Sequence, residues 1–445
     1  RNFAAWVREE AAAENRVVAV LQDIQGPKLR VGYFPEGRIH LGNDETIVLR
    51  QGREMASPGE VFVDYDHLLE DVEPGEPILL ADGLIRIVAT AKHHDRIEAR
   101  IIQGGPLSDG KGVAFPETNL RVPAITEKDR VDLAFGREIG VDFVAASFVR
   151  SGADMAEIRE LAGGTPVIAK IELAAAYANL DDILTESAGA MVARGDLGVQ
   201  LPLERIPLVQ ADILARTNRA GLISITATEM LESMTKSPRP TRAEVTDVAN
   251  AVLAGTDAVM LSAETAAGDF PIETVETMAR ICVTVEEGLQ DRQAVEFIGG
   301  ADSFASAVAR AAVEASHNLG ISTIVAFTES GNTARLLSKY RPPARIIAFT
   351  PERQTLARMA LYRGVQPHPF GRRDYTDVMI AAAEKFLEKE QVCRRGEAVV
   401  MVAGIPPNLR ASTNLMKIHV IGERDRGAFP QKAGRSVPKV GGTSG

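Results

Sequence analysis

The chain has 445 residues, 45% hydrophobic and 25% charged, which is too long for one ordinary core and places it in the soluble globular class with two or three domains. Its net charge of -10 argues against a nucleic-acid or anionic-membrane partner, since either needs a sustained positive surface; an anionic substrate must meet a local positive site. Cys282 and Cys393 stand far apart and outside any metal-ligand spacing, which excludes a disulfide framework or zinc site and suits a reducing cytoplasm, and no apolar run approaches the roughly 20 residues of a membrane span.

Arg1 opens the chain inside a helical pattern, Asn2 to Glu14, with neither Met nor a signal segment before it, so the true beginning is expected upstream. From Val17 to Glu264 one pattern repeats: a short β-branched apolar run, a polar or glycine-rich corner, then an amphipathic stretch. The runs are Val17 to Asp23, Val141 to Phe148, Pro166 to Glu172, Ala190 to Asp196, Leu222 to Glu229 and Asp257 to Glu264. Alternation of this kind implies parallel strands covered by helices, most commonly a TIM (β/α)8-type barrel, whose first two strands would precede Arg1. The barrel is assigned residues 1–27 and 123–290.

Residues 28–122 have a different texture, with alternating strands and turns such as Pro35-Glu36-Gly37, Pro74-Gly75 and Asp82-Gly83-Leu84. This predicts a small β-barrel inserted after a barrel strand, on the face where barrel active sites form, and able to act as a lid. The barrel resumes at the capping box Thr126-Glu127-Lys128-Asp129. After a polar linker near Glu286 to Gly300, residues 299–424 form a second α/β unit. It begins with a helix from Ser303 to Asn318, and strands at Ser322 to Phe327, Arg345 to Thr350, Glu397 to Val402 and Lys417 to Ile421 predict a doubly wound sheet. Residues 425–445, rich in Gly, Pro, Ser and basic residues, are expected to be disordered.

Five barrel runs end in or beside an acid: Asp23, Glu172, Asp196, Glu229 and Glu264. Any one of them could cap a helix, but convergence at the catalytic end of a barrel is harder to dismiss. The strongest signal is Lys170-Ile171-Glu172, because a period of two turns Lys170 and Glu172 to one face. In the next run, Arg194-Gly195-Asp196, the glycine permits close backbone approach and the carboxylate can join Glu172 on a hard cation such as magnesium. A buried salt-bridge cluster remains the alternative. Thr241-Arg242-Ala243-Glu244 is another capping box, and Thr328-Glu329-Ser330-Gly331-Asn332-Thr333 could cradle a phosphate at a helix start or serve as a plain cap.

VIAKIE, MVARGDLGVQLP, TATEMLESM, the stretch from Pro238 to Pro271, DIQGPKLRVG and TEKDRVDLAFG together resemble the pyruvate kinase family, over most of the chain from Asn2 to about Gly422. The resemblance implies phosphoryl transfer from phosphoenolpyruvate to ADP, giving pyruvate and ATP in the final step of glycolysis, by a cytoplasmic homotetramer. It implies that Glu172 and Asp196 hold Mg2+ or Mn2+ and that Lys170 neutralises the phosphoryl group in flight. Backbone around Ala193, Arg194, Gly195 and Asp196, with the Thr228 hydroxyl, would hold the substrate carboxylate. Thr228 would belong to the relay that protonates the enolate. Arg30 and Asp23 would lie by the phosphates and a monovalent-ion position. Thr328, Ser330, Gly331, Asn332 and Thr333 resemble the family's allosteric sugar-phosphate loop, although Glu329 would repel phosphate.

Leu173 stands where the family usually has Asn, Glu229 where Gln is usual and Ala263 where Gly is usual, and the family's Arg-x-Asn-x-Ser-His-Gly segment is expected upstream of Arg1. Lys28 occupies the position that is Glu in potassium-dependent members and Lys in potassium-independent ones, so K+ is not expected to be required. Two other functions stay open: a catalytically weakened regulatory paralogue, suggested by Leu173, Glu229 and Ala263, and a magnesium-dependent enolate barrel lyase.

Overall fold

The β-branched runs pair as a parallel sheet of six strands in chain order: β1 (Leu21–Ile24), β2 (Phe143–Ala146), β3 (Val167–Ile171), β4 (Gly189–Ala193), β5 (Ile223–Ala227) and β6 (Ala258–Val259). The structure is a computed structural model and describes residues 1–118, 120–289, 303–405 and 412–423. Helices separate the later strands, and the sheet is the curled wall of a TIM-type barrel.

Strand alternation divides the apolar residues into two cores. Leu21, Phe143, Ala145, Ile168, Met191, Ile223, Ile225 and Ala227 pack on the inner face. Val144, Ala146, Val167, Ala169, Ile171, Ala190 and Val192 pack against the helices. This parity decides where the chemistry falls: Asp23, Ser147 and Lys170 keep step with Leu21, Ala145 and Ile168, so their side chains emerge inside the barrel at its C-terminal end. β6 is shorter than its apolar run suggests. The buried Glu264 carboxylate accepts the Leu231 N–H at 3.2 Å and the Ser262 N–H at 2.6 Å, which turns the chain off the ladder into the short helix Ala263–Ala266.

The inserted segment forms a six-stranded sheet and a two-stranded pair, Arg38–Leu41 with Gly105–Ser108, around its own apolar core. Its entry turn depends on Gly26, which has φ +66° and whose Cβ, if present, would meet the Ser147 carbonyl oxygen at 2.6 Å. The Gly26 N–H donates to Asp129 at 3.1 Å. Asp129 is also the last residue of the capping box that begins the helix Glu127–Ile139, so one buried carboxylate ties the insert's entry to the barrel.

The second α/β unit begins with the helix Phe304–Leu319, capped by Ser303. Its five-stranded sheet has the order β9-β8-β7-β10-β11, with β7 (Thr323–Phe327), β8 (Arg345–Thr350), β9 (Val365–Pro369), β10 (Ala398–Ala403) and β11 (Leu415–Val420). β11 runs antiparallel to β10 and the other pairs are parallel. β9 escapes sequence patterning because Val-Gln-Pro-His-Pro is neither alternating nor apolar, and its prolines fit only an edge position, which it occupies. Most of the expected linker, residues 290–302, and the expected disordered tail lie outside the described residues.

Candidate active site

At the mouth of the barrel the Lys170 ammonium donates to Asp23 at 3.2 Å and to the Ser147 hydroxyl at 2.8 Å, and lies 2.9 Å from Glu172. Three acceptors match the three donors of an ammonium. Ser147 in turn donates to Asp23 at 3.2 Å. Burial works against the Lys170 charge, but Glu172 and Asp23 outweigh it and hold its pKa above the ordinary lysine value. The Glu172 side chain is 1% exposed, and its second oxygen accepts the Phe148 N–H at 2.7 Å. Burial pushes the Glu172 carboxyl up to about 7, with Lys170 opposing and the Asp196 charge adding to the rise.

Asp196 shares with Glu172 a cavity of about 170 Å³ between barrel and insert. Lys28 enters the same space, its ammonium 3.5 Å from Asp196 and 3.5 Å from Asp82 of the insert. Asp23, expected by the monovalent-ion position, pairs with Lys170 and Ser147. Lys28 therefore joins the two walls of the cleft.

Across the mouth, Thr228 and Glu229 adopt consecutive left-handed conformations, φ +64° and +53°. The Thr228 hydroxyl accepts the Gly195 N–H at 2.9 Å and donates to the Ala227 carbonyl at 2.7 Å. Ala193 ends β4, and Arg194, Gly195 and Asp196 begin the helix Arg194–Gln200. The Arg194 guanidinium is not turned to a ligand: it contacts Asp247 and the carbonyls of Ala227, Thr228 and Glu229. Arg30 lies at the insert's entry, donating to the Gly110 carbonyl at 2.9 Å, and is not among the groups bonded to the Lys170 cluster. Glu264 is likewise engaged with backbone N–H groups rather than with that cluster.

Thr328, Ser330, Asn332 and Thr333 line a separate cavity of about 1130 Å³ in the second α/β unit, with Arg353, Arg358, Arg372 and Arg373. Gly331, φ +84°, donates its N–H to the Thr328 hydroxyl at 2.9 Å. Glu329 pairs with Arg372 at 3.1 Å, so its charge is offset. Among the described residues this larger space is lined by arginines, hydroxyls and the carboxylates of Glu329 and Glu352, both paired with Arg372, and by no lysine, which suits binding rather than the barrel-mouth chemistry.

Residues 2–275 match the family model "Pyruvate kinase, barrel domain" and residues 306–419 match "Pyruvate kinase, alpha/beta domain". The chain belongs to the pyruvate kinase family. The pyruvate kinase of Geobacillus stearothermophilus is 41% identical over 428 residues, covering 94% of this chain and 73% of the relative. That of Methylorubrum extorquens is 43% identical over 413 residues, covering 91% and 85%. Among solved structures, a pyruvate kinase from Cryptosporidium parvum superposes with TM-score 0.85 at 34% identity, covering 93% of this chain and 86% of that one.

The positions that depart from the pyruvate kinase pattern occupy different settings. Leu173 lines the barrel-mouth cavity and precedes the helix Ala174–Ala178 without a side-chain cap bond. Glu229 lies beside Gly195 across the mouth, while Ala263 only starts the short helix after β6. The donor set suits a divalent cation: magnesium ordinarily takes one or two carboxylates and completes its shell with substrate oxygens and water, and Glu172 and Asp196 are two carboxylates on one cavity. Among the described residues no group of three or more His, Cys, Asp or Glu gathers to hold a metal alone. Sequence reasoning misses Ser147, Phe148 and Asp82. Ser147 follows β2 on the inner parity, which was the available signal; Phe148 acts through its backbone, and only the fold brings Asp82 to Lys28.

Proposed function

We propose that the chain transfers the phosphoryl group of phosphoenolpyruvate to ADP, releasing pyruvate and ATP. The observation that carries this reading is the Lys170 ammonium, held at the barrel mouth by Asp23, Ser147 and Glu172. A loose phosphoryl transition state is stabilised by positioned charge and needs no covalent nucleophile on the protein. Lys170 offers that charge to the oxygens of the phosphoryl group in flight. The Asp196 N–H, next to the Gly195 N–H that holds Thr228, would orient the substrate carboxylate, and the Thr228 hydroxyl stands in the path by which the enolate carbon gains a proton. Glu172 and Asp196 would hold Mg2+ or Mn2+, which when bound supplies positive charge to the carboxylate and phosphate oxygens. Arg30 would approach the phosphates when the insert moves.

The chain is proposed to work as a cytoplasmic homotetramer, and no helix among the described residues is long and apolar enough to cross a membrane. A phosphorylated effector is proposed for the loop of Thr328, Ser330, Gly331, Asn332 and Thr333; the pairing of Glu329 with Arg372 removes the repulsion its sequence suggests.

The test is ADP-dependent pyruvate formation by the full-length protein, with Lys170→Met and Glu172→Gln as variants. Both are expected to lose at least about 10²–10³ in kcat, the scale of removing one preorganised electrostatic contact. Full activity without Lys170 would overturn the reading. Binding of phosphoenolpyruvate without turnover would instead establish the weakened paralogue, and cleavage of a pyruvate-like acid with neither phosphoenolpyruvate nor ADP present the lyase.

A further inference from the structure

The strained turn that carries Thr228 is held from one side by a single guanidinium. Left-handed backbone is unfavourable for residues with a Cβ, and two in succession persist only where their surroundings enforce them. Here Arg194 supplies the enforcement. Its Nε donates to the carbonyls of Ala227 at 3.3 Å and Thr228 at 3.2 Å, and its Nη2 to those of Thr228 at 2.6 Å and Glu229 at 3.1 Å. The same Nη2 lies 2.9 Å from the Met230 sulfur. Nη1 donates to Asp247, on the helix Arg242–Leu253. The next residue, Gly195, fixes the Thr228 side chain with its N–H.

The Arg194 side chain is 9% exposed, so it has little freedom to reach an anion, while Asp247 is 35% exposed at the outer end of the contact. A guanidinium is planar and presents its donors as a fixed fork, so anchoring one Nη fixes the orientation of the others. The Asp247 carboxylate thus helps hold the fork on the carbonyls of Ala227, Thr228 and Glu229.

We propose that Arg194 and Asp247 are positioning residues that act through Thr228. They lock the turn in its left-handed form and so set the hydroxyl for the proton-transfer half of the reaction. In that half-reaction the methylene carbon of enolpyruvate forms a C–H bond with its π electrons, an O–H bond of the Thr228 hydroxyl or of a water bonded to it breaks, and the enolate oxygen becomes the ketone. The donor regains its proton from solvent. Asp247 is expected to influence this step more than phosphoryl transfer, which is served by Lys170 on the opposite side. The inference rests on the function proposed above.

The experiment compares Asp247→Ala, Asp247→Asn and Asp247→Glu in the full-length protein. Each is assayed for ADP-dependent pyruvate formation, for exchange of pyruvate methyl hydrogens with deuterated water by NMR, and for thermal midpoint. Displacing a reacting group slightly costs far more than tenfold in favourable cases, so a loss of about tenfold or more in methyl exchange is expected for Asp247→Ala. The KM for ADP should stay unchanged, and Asp247→Glu should recover most of the exchange. Methyl exchange equal to wild type in Asp247→Ala and Asp247→Asn overturns the inference, as does a loss that follows the folded fraction and spares no KM. A wild-type protein that forms no pyruvate overturns the functional reading itself, and the inference with it; wild-type turnover with unaltered exchange in the variants sinks the inference alone.

Discussion

Lys28 faces two carboxylates, Asp82 at 3.5 Å and Asp196 at 3.5 Å, and its ammonium is a fixed positive charge where a mobile cation would otherwise balance them. Replacing it by Glu would gather three carboxylates around one space. Wild-type activity should therefore be the same with potassium, sodium or an organic cation. Lys28→Glu should lose about ten- to a hundredfold without potassium, the scale of a charged contact of roughly 1.5–3 kcal/mol, and recover when potassium is added. Initial rates across the three salts check this, and a large potassium stimulation of the wild type would refute it. At this scale, strand parity makes Lys170 and Glu172 legible, because their spacing alone places both on one face. The setting of the Arg194 guanidinium is not legible for a physical reason: the spacing in Arg194-Gly195-Asp196 shows that the residue is near the site, but not that carbonyls at the end of the neighbouring strand would engage its fork.

Among the elements, the start of the helix Glu127–Ile139 shows how one side chain can serve two boundaries. Asp129 is fully buried and accepts the Thr126 N–H at 2.9 Å and the Thr126 hydroxyl at 2.6 Å. It also accepts the Gly26 N–H at 3.1 Å, at the entry to the insert. Thr126→Ala removes an ordinary cap and should cost about 1 kcal/mol. Asp129→Ala also leaves buried N–H groups unpaired, so a loss of about 3 kcal/mol is expected. Urea midpoints of the two variants check the difference; equal losses would show that the Gly26 bond contributes nothing. A second test lies between β4 and β5, where a Cβ on Gly189 would meet the Ile223 carbonyl oxygen at 2.4 Å. Gly189→Ala should destabilise by about 1–3 kcal/mol through overpacking, seen as a lower thermal midpoint. Both capping boxes and all six barrel strands are visible in the sequence because caps and periodicity are local. β9 and the shortening of β6 are not visible, since the first is an edge strand rich in proline and the second is set by a carboxylate reaching back to Leu231.

At the scale of the whole molecule, the two α/β units meet through charges no local pattern discloses. The Lys339 ammonium, 3% exposed, lies 2.5 Å from Asp257, itself 2% exposed, and donates to Asn218 at 3.0 Å. Arg335 donates to the Gly221 carbonyl and Arg341 to the Gly255 carbonyl, just past the ends of the helices Ile206–Arg219 and Arg242–Leu253, where the helix dipole favours cations. Burial holds the Lys339 pKa below the ordinary lysine value, against the pull of Asp257, so its charge depends on that partner. Asp257 in turn accepts the Ser224 N–H at 2.8 Å and the Ser224 hydroxyl at 3.0 Å at the start of β5, the strand that leads into Thr228. Lys339 closes the helix Asn332–Lys339, whose first residues line the 1130 Å³ cavity, so one helix runs from that cavity to the joint. Removing one member of a buried pair leaves the other charge uncompensated, and Lys339→Met should cost about 3–5 kcal/mol. Asp257→Asn retains an acceptor for Ser224 while removing the charge, so the double variant should be more stable than the sum of the single losses predicts, by about 0.5–3 kcal/mol. Guanidinium unfolding of the full-length protein, followed by fluorescence and by far-UV circular dichroism, measures this double-mutant cycle. Additive losses would mean that the two units are held by their apolar contacts, with the Lys339–Asp257 pair contributing no coupling of its own.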